Sequence, residues 1–228
     1  MRKLFRTMFE VINMSPLDTA VLQSLPEDAA VVLAPTHRSY LDFVLLSWAL
    51  FSRDLPLPHI AAGEDFLNLI LVTWLFRHSG AFFIPRTVED PLWRAVVSAY
   101  LQELLRHNQW VEFFVEGSRS RTGKVLPPRL GLLRTCVDAV ASGAASEVYV
   151  VPVAVSYEAC LEVSSHVREL TGARKTKESV SALLRNAPSS LSHQLGAAHL
   201  AFGTPIQLSE ALRVDVRGGS EEAKTNRV

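Results

Sequence analysis

The stretch AAVVLAPTHRSYLDFVLLSWALF, residues 29 to 51, decides the fold. Its first six residues are a short unbroken apolar run, the pattern of a strand buried on both faces. From Phe43 a second apolar run, FVLLSWALF, has the length of a buried helix. Between them stand His37, Arg38 and Asp42. Charged or titratable groups between two buried elements make either a capped turn or a site. Ser39 and Asp42 have the spacing of a capping box, with Ser39 as the cap. Asp42 then falls in the first helical turn, where the helix dipole favours its ionised form. On one continuous helix His37 and Asp42 would stand about 140° apart, so they meet only if His37 lies in the loop. In that arrangement the carboxylate fixes the imidazole tautomer and supports a general base. The plainer alternative is a capping acid beside a hydrogen-bonded turn histidine.

Outward from this unit, strand-like runs fall at 29–34, 59–62, 81–84, 111–115, 148–155 and 198–202. Helical stretches fall between them at about 40–52, 64–78, 90–107, 129–143 and 176–194. Asp90 followed by Pro91 marks a helix start, because Asp caps and Pro at the first position gives up no needed hydrogen bond. The alternation predicts an α/β domain, a central mixed β-sheet flanked by helices. Pro152 inside a strand run predicts a bulge or an edge position. The expected organisation is a helical segment at 1–28, a catalytic domain at 29–213 and a polar, disordered tail at 214–228.

The chain has 228 residues, 48% of them hydrophobic, enough for one sizeable core. Its 23 basic and 23 acidic residues balance, which argues against a nucleic-acid partner. Cys136 and Cys160 sit in apolar surroundings and read as core or near-core thiols, not as a disulfide framework or metal site. No second His or Cys stands at ligand spacing from His37, so no metal is expected. No run reaches the length needed to span a bilayer. The opening MRKLFRTMFEVI has the mix of basic and apolar residues of a membrane-surface helix, with a fragment of an element completed by further sequence as the equal alternative. A peripheral, membrane-associated protein inside the cell is the expectation.

In sheets of this kind ligands bind where strands end and helices begin. Three polar clusters fall there: THRSYLD after the first run, PRT with Arg86 after AFFI, and EGSRSRTGK after VEFFV. The last places Arg119, Arg121 and Lys124 within six positions, with Gly117 and Gly123 permitting tight turns. Arginine forks and backbone N–H groups hold phosphate well; a solvated basic loop is the alternative. The loop is not a Walker A motif, since Gly117 to Gly123 is one residue too long and Val125 stands where Ser or Thr belongs. A serine-hydrolase elbow is also absent, Ser118 lying in E-G-S-R-S.

Four blocks in order, HRSYLD (37–42), GAFFIPR (80–86), FVEGSRSRTGK (114–124) and VYVVPVAVSYE (148–158), resemble the glycerolipid acyltransferases. The branch most similar acylates glycerol 3-phosphate or dihydroxyacetone phosphate, with a lean to the latter, and the resemblance covers about residues 30 to 210. It implies direct acyl transfer from acyl-CoA, a co-substrate, with no cofactor and no metal. It implies His37 as base and Asp42 as its partner, with Arg86, Arg119 and Arg121 clamping the acceptor phosphate. Arg38, Ser39, Glu116, Gly117, Ser118 and Lys124 would support the site, and the strand around Pro152 would line the acyl-CoA side. It implies a membrane surface as partner: peroxisomal for the dihydroxyacetone phosphate reading, otherwise mitochondrial, endoplasmic-reticulum or bacterial inner membrane. Three departures stand out, one being that the final NRV is not a peroxisomal tripeptide. Pro85 replaces a second basic or apolar residue of block two, and the chain is shorter than full members of the branch. A catalytically inactive, membrane-surface-binding fragment is therefore the alternative of another class.

Overall fold

The computed structural model describes residues 5, 7–64, 67, 70–85, 90–120, 122–160 and 195–213. The expected helix at 176–194, the expected tail at 214–228, Arg86 and Arg121 lie outside them. Within them the strand–turn–helix reading holds. Strand β2 is Ala30–Pro35, and the helix after it, α2, is Asp42–Phe51. The chain runs β1 (Val11–Met14), α1 (Pro16–Gln23), β2, α2, β3 (His59–Gly63), α3 (Ile70–His78) and β4 (Phe82–Ile84). It continues α4 (Pro91–Arg106), β5 (Trp110–Glu112), α5 (Gly131–Ala141), β6 (Val148–Tyr157), β7 (Ala197–Phe202) and β8 (Ile206–Gln207).

The strands form one sheet in the order β1-β7-β6-β2-β5-β3-β4, with β8 also pairing with β6. Strands β6, β2, β5, β3 and β4 are mutually parallel, while β7 and β8 run antiparallel to β6. The sheet is mixed and helices flank it, as expected. Alternation along β2 sends Val31 and Leu33 to one face and Ala30 and Val32 to the other, and each face has its own core. The first core packs Leu45, Leu46, Ala49 and Leu50 of α2 against Val151, Val153 and Val155 of β6. The second packs Leu101 and Leu105 of α4 and Cys136 of α5 against Val111 and Val148. Burial there pushes the Cys136 thiol up to about 12, so it behaves as a small hydrophobe. Helix α4 starts as predicted, the Asp90 carboxylate accepting from Leu92 N–H at 2.9 Å with Pro91 at the first position.

Two expectations are corrected. Residues 11–14 of the segment expected to be helical form β1, paired parallel with β7, and Phe5, Met8, Phe9 and Leu22 lie buried in the first core. The segment does hold one helix, α1, closed by a Ser15–Asp18 capping box. Pro152 is at neither a sheet edge nor a bulge. Strand β6 lies between β7 and β2, and its register against β2 passes unbroken through the Ala34–Pro152 pair. Its carbonyl accepts from Gly203 N–H at 2.8 Å, so its missing N–H faces the gap between β7 and β8, where no ladder bond is lost. Among the described residues no helix is long and apolar enough to cross a membrane.

Candidate active site

Parallel strands β2, β5 and β6 deliver their C-terminal ends to one edge of the sheet, and the polar clusters gather there. His37 and Asp42 do meet. The His37 Nδ1 lies 2.8 Å from Asp42 Oδ2, with the histidine in the turn and the aspartate opening α2. Asp42 is 0% exposed and the His37 side chain 17%. The same Oδ2 also accepts from the backbone N–H groups of Arg38 (2.7 Å) and Ser39 (2.9 Å). The expected box forms only in part: Asp42 accepts from Ser39 N–H, but Ser39 Oγ accepts from Leu41 N–H and the regular helix opens after Leu41, which caps it without a side-chain bond. A buried carboxylate held by this many donors stays a fixed acceptor. It therefore sets the imidazole tautomer: Nδ1 carries the proton toward Asp42, and Nε2 is the basic nitrogen.

The basic loop is bonded to this turn from both sides. His37 N–H donates to Glu116 Oε1 at 3.0 Å, and Ser120 N–H donates to the His37 carbonyl at 2.8 Å. Glu116, itself buried, spends its other oxygen on Leu126 N–H at 2.9 Å. Arg38 Nη1 donates to the Lys124 carbonyl at 2.9 Å, and the Arg119 guanidinium lies 3.7 Å over the Tyr40 ring. Arg38, Arg119 and Lys124 thus belong to the turn and the loop bonded to it. Gly117 turns the loop at φ +65°, and a Cβ there would stand 2.5 Å from Cδ of Arg129. Ser118 follows it, exposed.

On its other side His37 opens onto an apolar cavity of about 940 Å³. The walls include Phe43, Trp48, Phe51, Leu57, Ile60 and Phe114. That volume is at the upper end of small-ligand sites. The His37 ring stacks on Phe114, with centroids 4.0 Å apart. Phe51 and Leu57 among its walls are also exposed to solvent. Pro152 does not line it. It shares its face of β6 with Val148 and Val150 of the second core, while the cavity lies on the α2 face.

Four residues here escaped sequence reasoning. Arg129 crosses Gly117 and adds a cation beside the loop. Ser120 Oγ is buried without a partner among the described residues. Tyr157, the last residue of β6, donates its hydroxyl to Asp42 Oδ1 at 2.7 Å. Glu112 is 0% exposed, and neither carboxyl oxygen has a partner among the described residues. It pairs in register with Leu33 and Ile60, which places it on the sheet under α2. Burial, and then the charge of Asp42, hold its carboxyl well above the usual range. The signal for Tyr157 was present, since alternation along VYVVPVAVSY puts it on the face of Val153 and Val155 at the site edge.

The family model described as Acyltransferase matches residues 18–156. The model described as Glycerol-3-phosphate acyltransferase C-terminal region matches 166–227, which includes the stretch expected as a tail. The human dihydroxyacetone phosphate acyltransferase is 42% identical over 90% of this chain and 30% of its own length. A probable mitochondrial glycerol-3-phosphate acyltransferase of Caenorhabditis elegans is 37% identical over 99% of this chain and 33% of its own. The glycerol-3-phosphate acyltransferase of Pasteurella multocida is 38% identical over 93% of this chain and 26% of its own. The chain thus spans about a third of the length of the curated relatives it matches. The 1-acyl-sn-glycerophosphate (LPA) acyltransferase of Thermotoga maritima shares the fold, with a TM-score of 0.54 and 18% identity over 98% of this chain and 76% of that one.

Proposed function

The chain belongs to the acyltransferase family, and from that premise we propose that it transfers a long-chain fatty acyl group from acyl-CoA to the primary hydroxyl of a phosphorylated three-carbon acceptor. One observation carries the reading: a single histidine is oriented by a buried carboxylate, walled by an apolar cavity and hydrogen-bonded through its backbone to a cationic loop. An acyl chain needs the cavity, an acceptor phosphate needs the cations, and the reacting atoms meet at the imidazole between them.

In this mechanism Nε2 of neutral His37 takes the proton of the acceptor hydroxyl as its oxygen attacks the thioester carbonyl. Asp42 stabilises the imidazolium that results. The tetrahedral intermediate collapses, the C–S bond breaks, and the departing thiolate takes the proton from His37 as coenzyme A. The ester forms without an acyl-enzyme, and the histidine returns to its neutral state. Arg119, with Arg38, Lys124 and Arg129 nearby, binds the phosphate, and Arg86 and Arg121 are proposed to join them. The exposed Phe51, Leu57, Ile70 and Trp74 would rest against a membrane surface.

Dihydroxyacetone phosphate is the acceptor we favour, with glycerol 3-phosphate as the second reading; relatives of both names support the choice of these two. The test is thiol release from palmitoyl-CoA, run with each acceptor side by side and repeated with His37→Ala. Acceptor-dependent release that disappears in the variant is the expected result. A folded chain that releases no thiol with either acceptor would overturn the reading.

A further inference from the structure

We propose that Tyr157 is a positioning residue for the catalytic histidine, acting through its hydroxyl on Asp42. The role deepens the acyltransferase reading and rests on it. Three donors, His37 Nδ1 and two backbone N–H groups, converge on Asp42 Oδ2. All three act on one oxygen and leave Oδ1 to be held separately. The Tyr157 hydroxyl holds the other oxygen, Oδ1, at 2.7 Å. This is a well-formed O–H···O hydrogen bond. With both oxygens held, the plane of the carboxylate is fixed, and with it the plane of the imidazole.

The tyrosine is itself held. It ends β6, the strand paired with β2, and its ring stacks on Phe9 with centroids 5.9 Å apart. Phe9 is buried in the first core, so the hydroxyl is aimed from a rigid platform.

The chemistry of the donor matters as much as its place. An arginine or lysine in this position would cancel the Asp42 charge that the imidazolium needs during the reaction. A phenol orients the carboxylate and leaves the charge in place. The other groups around the pair fit this division. Arg38 reaches to the Lys124 carbonyl, and Arg119 lies over Tyr40. Glu116 is occupied by the His37 and Leu126 N–H groups. Glu112 approaches from β5 as a buried acid. The hydrogen bonds to Asp42 described here come from backbone amides, the imidazole and a phenol.

The experiment compares the chain with Tyr157→Phe, which keeps the ring on Phe9, and with Tyr157→Leu, which loses it. The expected result for Tyr157→Phe is a roughly tenfold lower kcat with KM unchanged for both substrates. The acid limb of kcat/KM should also move up by about half a pH unit, because a carboxylate with one donor fewer holds the imidazolium more tightly. Its melting temperature should stay with the parent, while that of Tyr157→Leu falls. A Tyr157→Phe variant with parental kcat and pH profile would reduce Tyr157 to packing and overturn the proposal. An NMR arm needs no turnover: the Nδ1 proton of His37 should move downfield in Tyr157→Phe. If the parent chain released no thiol with either acceptor, the acyltransferase reading would fall and this resonance would decide alone. Displacement would support the link through Asp42, and an unmoved signal would refute it.

Discussion

Glu112→Gln should make the protein more stable at neutral pH and leave it nearly unchanged in acid. The carboxyl is fully buried under α2, lacks a hydrogen-bond partner among the described residues and feels the charge of Asp42. Burial first, and Asp42 second, raise its folded-state pKa well above the usual value. The sign follows from linkage. Above about pH 4.3 the unfolded chain releases this proton while the folded chain keeps it, so the folded state binds more protons and stability falls as pH rises. Each pH unit over which the folded protein keeps the proton costs about 1.4 kcal/mol. Glutamine has nearly the same shape and leaves a neutral polar group in the same place, so the other burial costs largely cancel. Urea unfolding of the parent and the variant at pH 4.5, 6.0 and 7.5 isolates the effect. The two free energies should nearly coincide at pH 4.5 and diverge in favour of Glu112→Gln as pH rises. Parallel curves across that range would mean that Glu112 is ionised in the folded protein, and the assignment of a neutral acid would be wrong.

Arg119→Ala should raise the KM for the phosphorylated acceptor by about tenfold or more and leave the KM for acyl-CoA in place, as steady-state thiol release would report; equal KM values would remove Arg119 from the phosphate role. Gly117→Ala forces a side chain into the left-handed region and against Arg129, at a cost of about 1–2 kcal/mol. A melting temperature lowered by several degrees is expected, and an unchanged one would mean that the loop refolds freely. For Glu147, burial raises the pKa, but hydrogen bonds from Ser209 and Gln207, then from the Val148 and Ser209 N–H groups, bring it below the usual range. A depressed carboxyl contributes stability above its unfolded pKa and loses it as pH falls through the folded one. Glu147→Gln should therefore flatten the decline in stability below about pH 4, measured by acid titration of the circular dichroism signal.

What the sequence made legible was local. The strand, the turn and the helix all fall within residues 29 to 51, so burial pattern and spacing could place His37 against Asp42 without knowledge of the rest. Asp90 and Pro91 marked their helix for the same reason. Longer reach defeated the reading. Strand β1 has four residues, interrupted by Asn13, and owes its state to partners in β7. Tyr157 finds Asp42 across 115 positions, a contact that depends on β6 lying beside β2. Glu112 was not singled out within VEFFV, because only the layer that covers the sheet makes it an interior acid. Pro152 was misplaced because a missing N–H matters by direction, and the direction is set by the gap between β7 and β8.

The pairing of β1 with β7 also sets a timetable for synthesis. Asn13 stands opposite His199, 186 positions later. At cellular translation rates of about 5–20 residues per second, β1 leaves the ribosome about 10–40 s before its partner strand is made. During that interval Phe5, Met8 and Phe9 have no finished wall to bury against. The nascent chain thus carries a sticky stretch for that interval, which chaperones would be expected to shield. Phe9, the platform for Tyr157, would be among the last parts of the active site to be seated.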